Sequence, residues 1–339
     1  MKDKKLEKIL SLVEEYAEEN LLRKSWTPGD WVNYSGPYYS SDEYTSAIKI
    51  LLSEWLIFGK EGRNFENLFP PHLGQKYGVL TNSGSSANLL MANVFKRKSW
   101  TPGDWVNYSG PNFSSVEFRE AVSAILDGWL VFGKKAREFE ETFPMFLGKN
   151  FGMLTNSGSS ANLIMTQALT SKKSFMKKFH LPKGSKFITP VVCFPTTLNP
   201  IIQTGFEPVF VDVDLPSLNL NLDQVEDALK KDSSIRGIIF AHVLGNPPDM
   251  DRLMHLVDKY NLIFLEDSCD AMGSFYDGKK LGSFGLMSTC SFYPAHHMTM
   301  GEGGFVATDD PRLRRVLASF RDWGRACYCN SMKPGNVTG

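Results

Sequence analysis

RGIIFAHVLGNPPDMDRLMHLVDKYNLIFLEDSCDA, residues 236–271, decides the fold. Its two apolar runs, RGIIFAHV (236–243) and NLIFLE (261–266), read as strands buried on both faces. Between them DMDRLMHLVDKY (249–260) repeats its apolar residues at helical spacing. Further out, KFITPVV (186–192) and PVFVDV (208–213) read as two more buried strands, and LDQVEDALKK (222–231) as another helix. This alternation implies an α/β domain with a mostly parallel sheet and helices on both faces.

The 339 residues suffice for one large domain or two smaller ones. Apolar residues at 42% and charged residues at 22% are the balance of a soluble globular protein. Lys+Arg and Asp+Glu are both 37, so global charge gives no reason to expect nucleic acid or an anionic membrane as partner. The N-terminal stretch lacks the apolar core of a signal peptide. Its Leu6, Ile9, Leu10, Val13, Tyr16 and Ala17 recur at helical spacing, which predicts a surface helix over 1–22. No run approaches the roughly 20 apolar residues of a membrane span. A cytoplasmic location is the resulting expectation. Five cysteines in a chain this long do not make a disulfide framework.

The N-terminal half contains a repeat. RKSWTPGDWVNYSGP occurs at 23–37 and again at 97–111, and LTNSGSSANL at 80–89 and again at 154–163. The offset is 74 throughout, so residues 23–96 and 97–170 are two copies of one unit without gaps. The expected organisation is a helix (1–22), an extra copy (23–96), the copy continuous with the rest of the domain (97–170), and the remainder of the domain (171–339). The last residues, KPGNVTG, follow the predicted helix PRLRRVLASFRDWG without a closing element, and are expected to mark a truncated chain.

Three segments carry chemistry. NSGSSAN (156–162) lies between the apolar FGMLT and the helical ANLIMTQAL, and can present N–H groups and hydroxyls to a phosphate. Taken alone it reads more economically as a helix cap on Ser159 or Ser160. Asp267 ends a buried strand, where α/β sheets place ligands, and could hold a protonated ring nitrogen. Glu266 and Asp267 could equally cap the segment that follows. SFYPAHHMTMGEGGFVAT carries Ser291 at a strand end, two adjacent histidines and a Gly-rich turn into another strand. A histidine there is an acid/base candidate, or a structural residue.

Together and in this order, these segments resemble the DegT/DnrJ/EryC1/StrS family of sugar aminotransferases and dehydratases. The similarity also includes WLVFG, VVCFPTTLNP, GFEPVFVDVD and AHVLGNPPDM, and runs from about 104 to 326. It implies the large domain of a fold-type I pyridoxal-phosphate (PLP) transferase, with the small C-terminal domain missing. It implies that Ser157, Gly158, Ser159 and Ser160, with Ser291, cradle the cofactor phosphate. Phe194 would stack on the pyridine ring and Asp267 would pair with its N–H. Asp270 stands where relatives often carry a glutamine contacting the cofactor's 3-hydroxyl. In most relatives the strand-end motif supplies a Schiff-base lysine; here it reads Ser291-Phe292-Tyr293-Pro294-Ala295-His296, with His296 in the lysine position. Imidazole cannot form that link, so the cofactor would sit non-covalently as pyridoxamine phosphate (PMP), with His296 as the base. This is the pattern of the family's nucleotide-sugar 3-dehydrases, which remove the C3 hydroxyl of 4-keto-6-deoxyhexoses toward 3,6-dideoxyhexoses of O-antigens.

Cys269, Cys327 and Cys329 are similar in spacing to the cysteines of the family's CDP-4-keto-6-deoxyglucose 3-dehydrases. That likeness implies three of the four thiolates of a [2Fe–2S] cluster, and a separate reductase as electron donor. The family pattern's fourth cysteine falls among Asn336, Val337 and Thr338. Cys193 and Cys290 read as core. His242 and Asn246 lie at a strand end and are weaker candidates for ligand contact. The resemblance also implies a homodimer. The readings carried forward are a CDP-sugar 3-dehydrase, a GDP-4-keto-6-deoxymannose 3-dehydratase without a cluster, and an inactive duplicated fragment.

Overall fold

The computed structural model describes residues 2–20, 40–52, 60–73, 76, 115–126, 132–215, 217–293, 296–322 and 324. The chain divides into two compact units, residues 1–137 and 138–339.

The described part of the first unit is helical, with α1 (Lys2–Asn20), α2 (Ser41–Leu52), α3 (Lys60–Leu68) and α4 (Ser115–Leu126). Ser40 and Glu43 start α2 with a reciprocal cap, the carboxylate accepting from the Ser40 N–H at 2.6 Å while the Ser40 hydroxyl accepts from Asp42 N–H. Val13 and Ala17 of α1 pack on Tyr44 and Ile48 of α2, with Val122, Ile125 and Leu126 of α4 against them. On α1 the buried pair is one stripe four residues apart, while Ile9, Leu12 and Tyr16 are exposed, as expected of a surface helix. α2 and α4 begin at Ser41 and Ser115 and end at Leu52 and Leu126, both pairs 74 residues apart. Equivalent stretches of the two copies thus form the same helix.

The second unit is a three-layer α/β/α domain. In chain order its elements are α5 (Lys134–Phe146, entering from the first unit), β1 (Phe151–Thr155), α6 (Gly158–Ala168), β2 (Lys186–Pro190), α7 (Pro195–Thr204), β3 (Glu207–Val211), β4 (Val213–Asp214) and β5 (Asn219–Leu220). There follow α8 (Leu222–Lys231), β6 (Ile235–Ala241), α9 (Met250–Tyr260), β7 (Ile263–Asp267), β8 (Phe275–Tyr276), β9 (Lys279–Lys280), β10 (Met287–Ser291), β11 (Gly304–Thr308) and α10 (Pro311–Arg321). Seven strands form one sheet in the order β1-β11-β10-β7-β6-β2-β3. β10, β7, β6, β2 and β3 run parallel, and β11 is antiparallel to both its neighbours.

Strand alternation decides what each face receives. Phe187, Ile239, Leu265, Met287 and Val306 point to one face, where α6, α7 and α10 bring Met165, Ile201 and Leu317. Ile188, Ile238, Phe240 and Phe264 point to the other, under Val225 and Leu229 of α8 and Leu253 and Leu256 of α9. Phe143 of α5 meets Phe292 and Phe305 edge-on, with centroids 5.4 and 5.0 Å away. Truncating one such buried ring or leucine to alanine costs about 2–5 kcal/mol. β3 departs from expectation. It is the last strand of the sheet, and Phe210 within its apolar run is half exposed, because nothing described pairs beyond it. No helix among the described residues is long and apolar enough to cross a membrane.

Candidate active site

The parallel strands end on one side of the sheet, and there the helices α6 and α7 begin. α6 is capped by Ser157, whose hydroxyl accepts from the Ser160 N–H at 3.1 Å; the cap is therefore Ser157, ahead of both Ser159 and Ser160. α7 begins with Pro195, suited to a first helical position because it has no N–H to leave unpaired. The Ser159 hydroxyl meets Thr196 Oγ1 at 3.1 Å, so the two helix starts are joined side by side. Two glycines allow the sheet to approach this corner. A Cβ on Gly158 would lie 2.6 Å from Ser291 Cβ and 3.0 Å from Cys269 Sγ, and one on Gly304 would lie 2.1 Å from the Ser157 carbonyl oxygen. Ser157 to Ser160 and Ser291 are therefore brought together, with helix N–H groups at the corner.

The strand pleat sends neighbouring acids to opposite faces. Asp267, 3% exposed, points toward α6. Its Oδ2 accepts from Asn162 Nδ2 and from the Thr197 hydroxyl, each at 2.7 Å, and its Oδ1 accepts from the Cys269 N–H at 3.2 Å. Asn162 Oδ1 accepts in turn from Thr289 at 2.6 Å. Glu266 points the other way. It accepts from the Gly282 and Gly285 N–H groups and lies 3.1 Å from His242 Nε2, all fully buried. Burial opposes its ionisation, but the His242 contact and the two N–H groups outweigh burial and hold the carboxyl below its ordinary range. Glu266 is thus a structural acid and caps nothing. His242 serves it, and Asn246 is exposed and bonded to the 217–219 loop.

His296 lies past the end of β10. Its Nδ1 is 3.1 Å from Asp270 Oδ1, and its backbone N–H donates to the Tyr293 carbonyl at 3.0 Å. Asp270 thereby orients the histidine. Phe194 is the N-cap residue of α7 and is 66% exposed, an aromatic face presented at the sheet's C-terminal edge.

The cysteines divide. Cys290 is core, as expected, and burial pushes its thiol well up. Cys193 is not core; it sits half-buried in the turn between β2 and α7. Cys269 packs beside Gly158, and burial, then the Asp267 charge, raise its thiol well above the ordinary value. Cys327 and Cys329 lie outside the described residues, and among the described residues no three His, Cys, Asp or Glu side chains gather as a metal site. Cys269 is the one candidate ligand of that group among the described residues. A pyridine-phosphate cofactor fits. The serine corner with its helix N–H groups, a buried carboxylate with one oxygen only lightly engaged, and an exposed aromatic ring share one edge of the sheet. Sequence reasoning missed Asn162, Thr197 and Thr289. No local signal sets them apart, since the ANLIMTQAL helix carries Thr166 and Gln167 as well as Asn162.

Comparison with known proteins agrees with this fold. Lipopolysaccharide biosynthesis protein RfbH of Salmonella typhimurium is 46% identical over 221 residues, 65% of this chain and 50% of its own length. The dTDP-4-dehydro-2,6-dideoxy-D-glucose 3-dehydratase of Saccharopolyspora spinosa is 45% identical over 208 residues, 61% of this chain and 44% of its own. The solved structure of E. coli GDP-4-keto-6-deoxy-D-mannose-3-dehydratase with bound hydrated PLP superposes with TM-score 0.59 at 32% identity, covering 64% of this chain and 55% of that one. The chain spans about half the length of the relatives it matches. The pattern of one family matches residues 37–116, most of the first copy and the start of the second, and again 112–336, most of the second copy with the rest of the domain. The chain belongs to the DegT/DnrJ/EryC1/StrS aminotransferase family.

Proposed function

We propose that the site is that of a nucleotide-sugar 3-dehydratase, with PMP held non-covalently and His296 as its acid/base group. The observation that carries the reading is the His296–Asp270 pair at 3.1 Å, at the strand end where most of the family has a lysine. Ser157 to Ser160 and Ser291 would hold the phosphate, Phe194 would stack on the ring, and Asp267 Oδ1 would accept from the ring N–H. When bound, PMP supplies an amine for the sugar's ketone and an electron sink in its ring. Asp270, 3.1 Å from Nδ1, would favour the tautomer with its proton on Nδ1 and its lone pair on Nε2. Nε2 would be the ring atom that carries a proton to or from the reacting groups as the C3 hydroxyl leaves.

The substrate favoured is a CDP-4-keto-6-deoxyhexose, because the spacing of Cys269, Cys327 and Cys329 matches that group. A [2Fe–2S] cluster, a reductase partner and a homodimer belong to the same proposal, and no step above passes through them. Two irons and two sulfides per chain after anaerobic reconstitution would support the cluster, and none would remove it. GDP- and dTDP-sugars are the competing substrates, given the relatives' names.

The test is oxygen exchange. Protein, PMP and the CDP-sugar are incubated in ¹⁸O-water without reductase, and the recovered sugar is weighed. Label at C3 that disappears in His296→Asn supports the reading. Absence of label from a folded, PMP-bound sample with the CDP-, GDP- and dTDP-sugars would refute it.

A further inference from the structure

Asn162 is out of place by local rules. Asparagine is a poor residue for a helix interior, and a buried amide is costly unless bonded. Yet it is 1% exposed in the middle of α6, among apolar neighbours. Thr197 and Thr289 beside it are fully buried hydroxyls. Their bonds have one consistent direction. Thr289 donates to Asn162 Oδ1, which turns the Asn162 amide group toward Asp267. Asn162 Nδ2 and Thr197 Oγ1 both donate to Oδ2 of Asp267, filling that oxygen's two lone pairs. Among the described residues Oδ1 receives the longer Cys269 N–H bond, with the Cys269 thiol beside the carboxylate, and no bond from another element.

We propose that Asn162, Thr197 and Thr289 are positioning residues that clamp Asp267 by one oxygen and so fix the other, Oδ1, as the partner of the cofactor's ring nitrogen. The proposal rests on the cofactor reading above. Three elements, α6, α7 and β10, hold the carboxylate of a fourth, β7, so its plane cannot rotate without breaking charge-assisted bonds. Because α6 and α7 also form the phosphate corner, the clamp ties the ring-nitrogen partner to the phosphate cradle. The cofactor's two anchoring ends are thereby set in one frame.

The experiment uses the whole chain and PMP labelled with ¹⁵N in the ring. Wild type is compared with Thr197→Val, Thr197→Ser and Asn162→Leu, with folding checked by circular dichroism. Wild type and Thr197→Ser are expected to hold PMP with its ring nitrogen protonated at neutral pH. Thr197→Val and Asn162→Leu are expected to raise the PMP dissociation constant about tenfold, since a bond to a charged group is worth at least that factor. Their ¹⁵N resonance should move toward that of neutral pyridine. Thr289→Val stands in should either variant fail to fold. Variants that keep the wild-type resonance and affinity would overturn the clamp while leaving the cofactor reading intact. A wild-type chain that does not bind PMP, or binds it unprotonated, would overturn both.

Discussion

Glu266→Gln isolates the buried acid that neighbours Asp267 but faces away from it. The wild-type carboxylate has three partners: His242 Nε2 at 3.1 Å, the Gly282 N–H at 2.8 Å and the Gly285 N–H. An amide of the same size has one oxygen and one NH₂. Whichever way it turns, its NH₂ faces a donor, so at least one buried donor is left unpaired. Losing one hydrogen bond to a charged group costs about 1.5–3 kcal/mol, and an orphaned buried donor about 1–3 more. The sum, about 2.5–6 kcal/mol, brackets the usual cost of about 3–5 kcal/mol for breaking a buried ion pair. For a unit of this size that is a fall in melting temperature of roughly 10 °C. Thermal and urea unfolding followed by circular dichroism measure it. The pH dependence has a definite sign. The folded pKa lies below the ordinary glutamate value of 4.5, so the stabilisation is present above that value and is lost as pH falls through the folded pKa. Wild type should therefore lose its advantage over Glu266→Gln in that acid window. A loss under about 1 kcal/mol at neutral pH, or a gap that widens on acidification, would refute the reasoning.

Lys149→Met should cost about 2–4 kcal/mol in urea unfolding, because the buried ammonium donates to the carbonyls of Ser283 and Gly285 and to Asp309, and a thioether satisfies none of them. Gly158→Ala should weaken PMP binding at least about tenfold by calorimetry, since the new methyl meets Ser291 and Cys269 and must displace the corner. Replacing Ser159 and Ser160 by alanine should abolish PMP binding while replacing Ser85 and Ser86 should not. Ser85 and Ser86 lie outside the described residues, and equal losses at both sites would show that the copies exchange places.

The strands most plainly legible are those the fold buries on both faces, and β3 was legible too although it is the half-exposed edge strand. β2, β6 and β7 show as continuous apolar runs because either orientation of a side chain meets a helix layer. β10, MSTCS, is fully buried too, yet three of its five residues carry a hydroxyl, because Thr289 and Ser291 face the site. The two-residue strands β4, β5, β8 and β9 are too short for any periodicity. Asp267, the serine corner and His296 were legible through family resemblance. Asn162, Thr197 and Thr289 were not, because each acts on a partner far along the chain. Asn162 and Thr197 reach Asp267 across 105 and 70 residues, and Thr289 reaches Asn162 across 127. Nothing local marks such pairs apart from ordinary buried polar groups.

With His296 where the lysine would be, the proposed cofactor is held without a covalent bond. This is tested most directly by incubating the protein with PLP, reducing with borohydride, and mapping modified peptides by mass spectrometry, with and without excess PMP. The account predicts one PMP-competable binding site per chain and no stoichiometric lysine adduct that PMP protects against. One lysine modified in full, and protected by PMP, would contradict it.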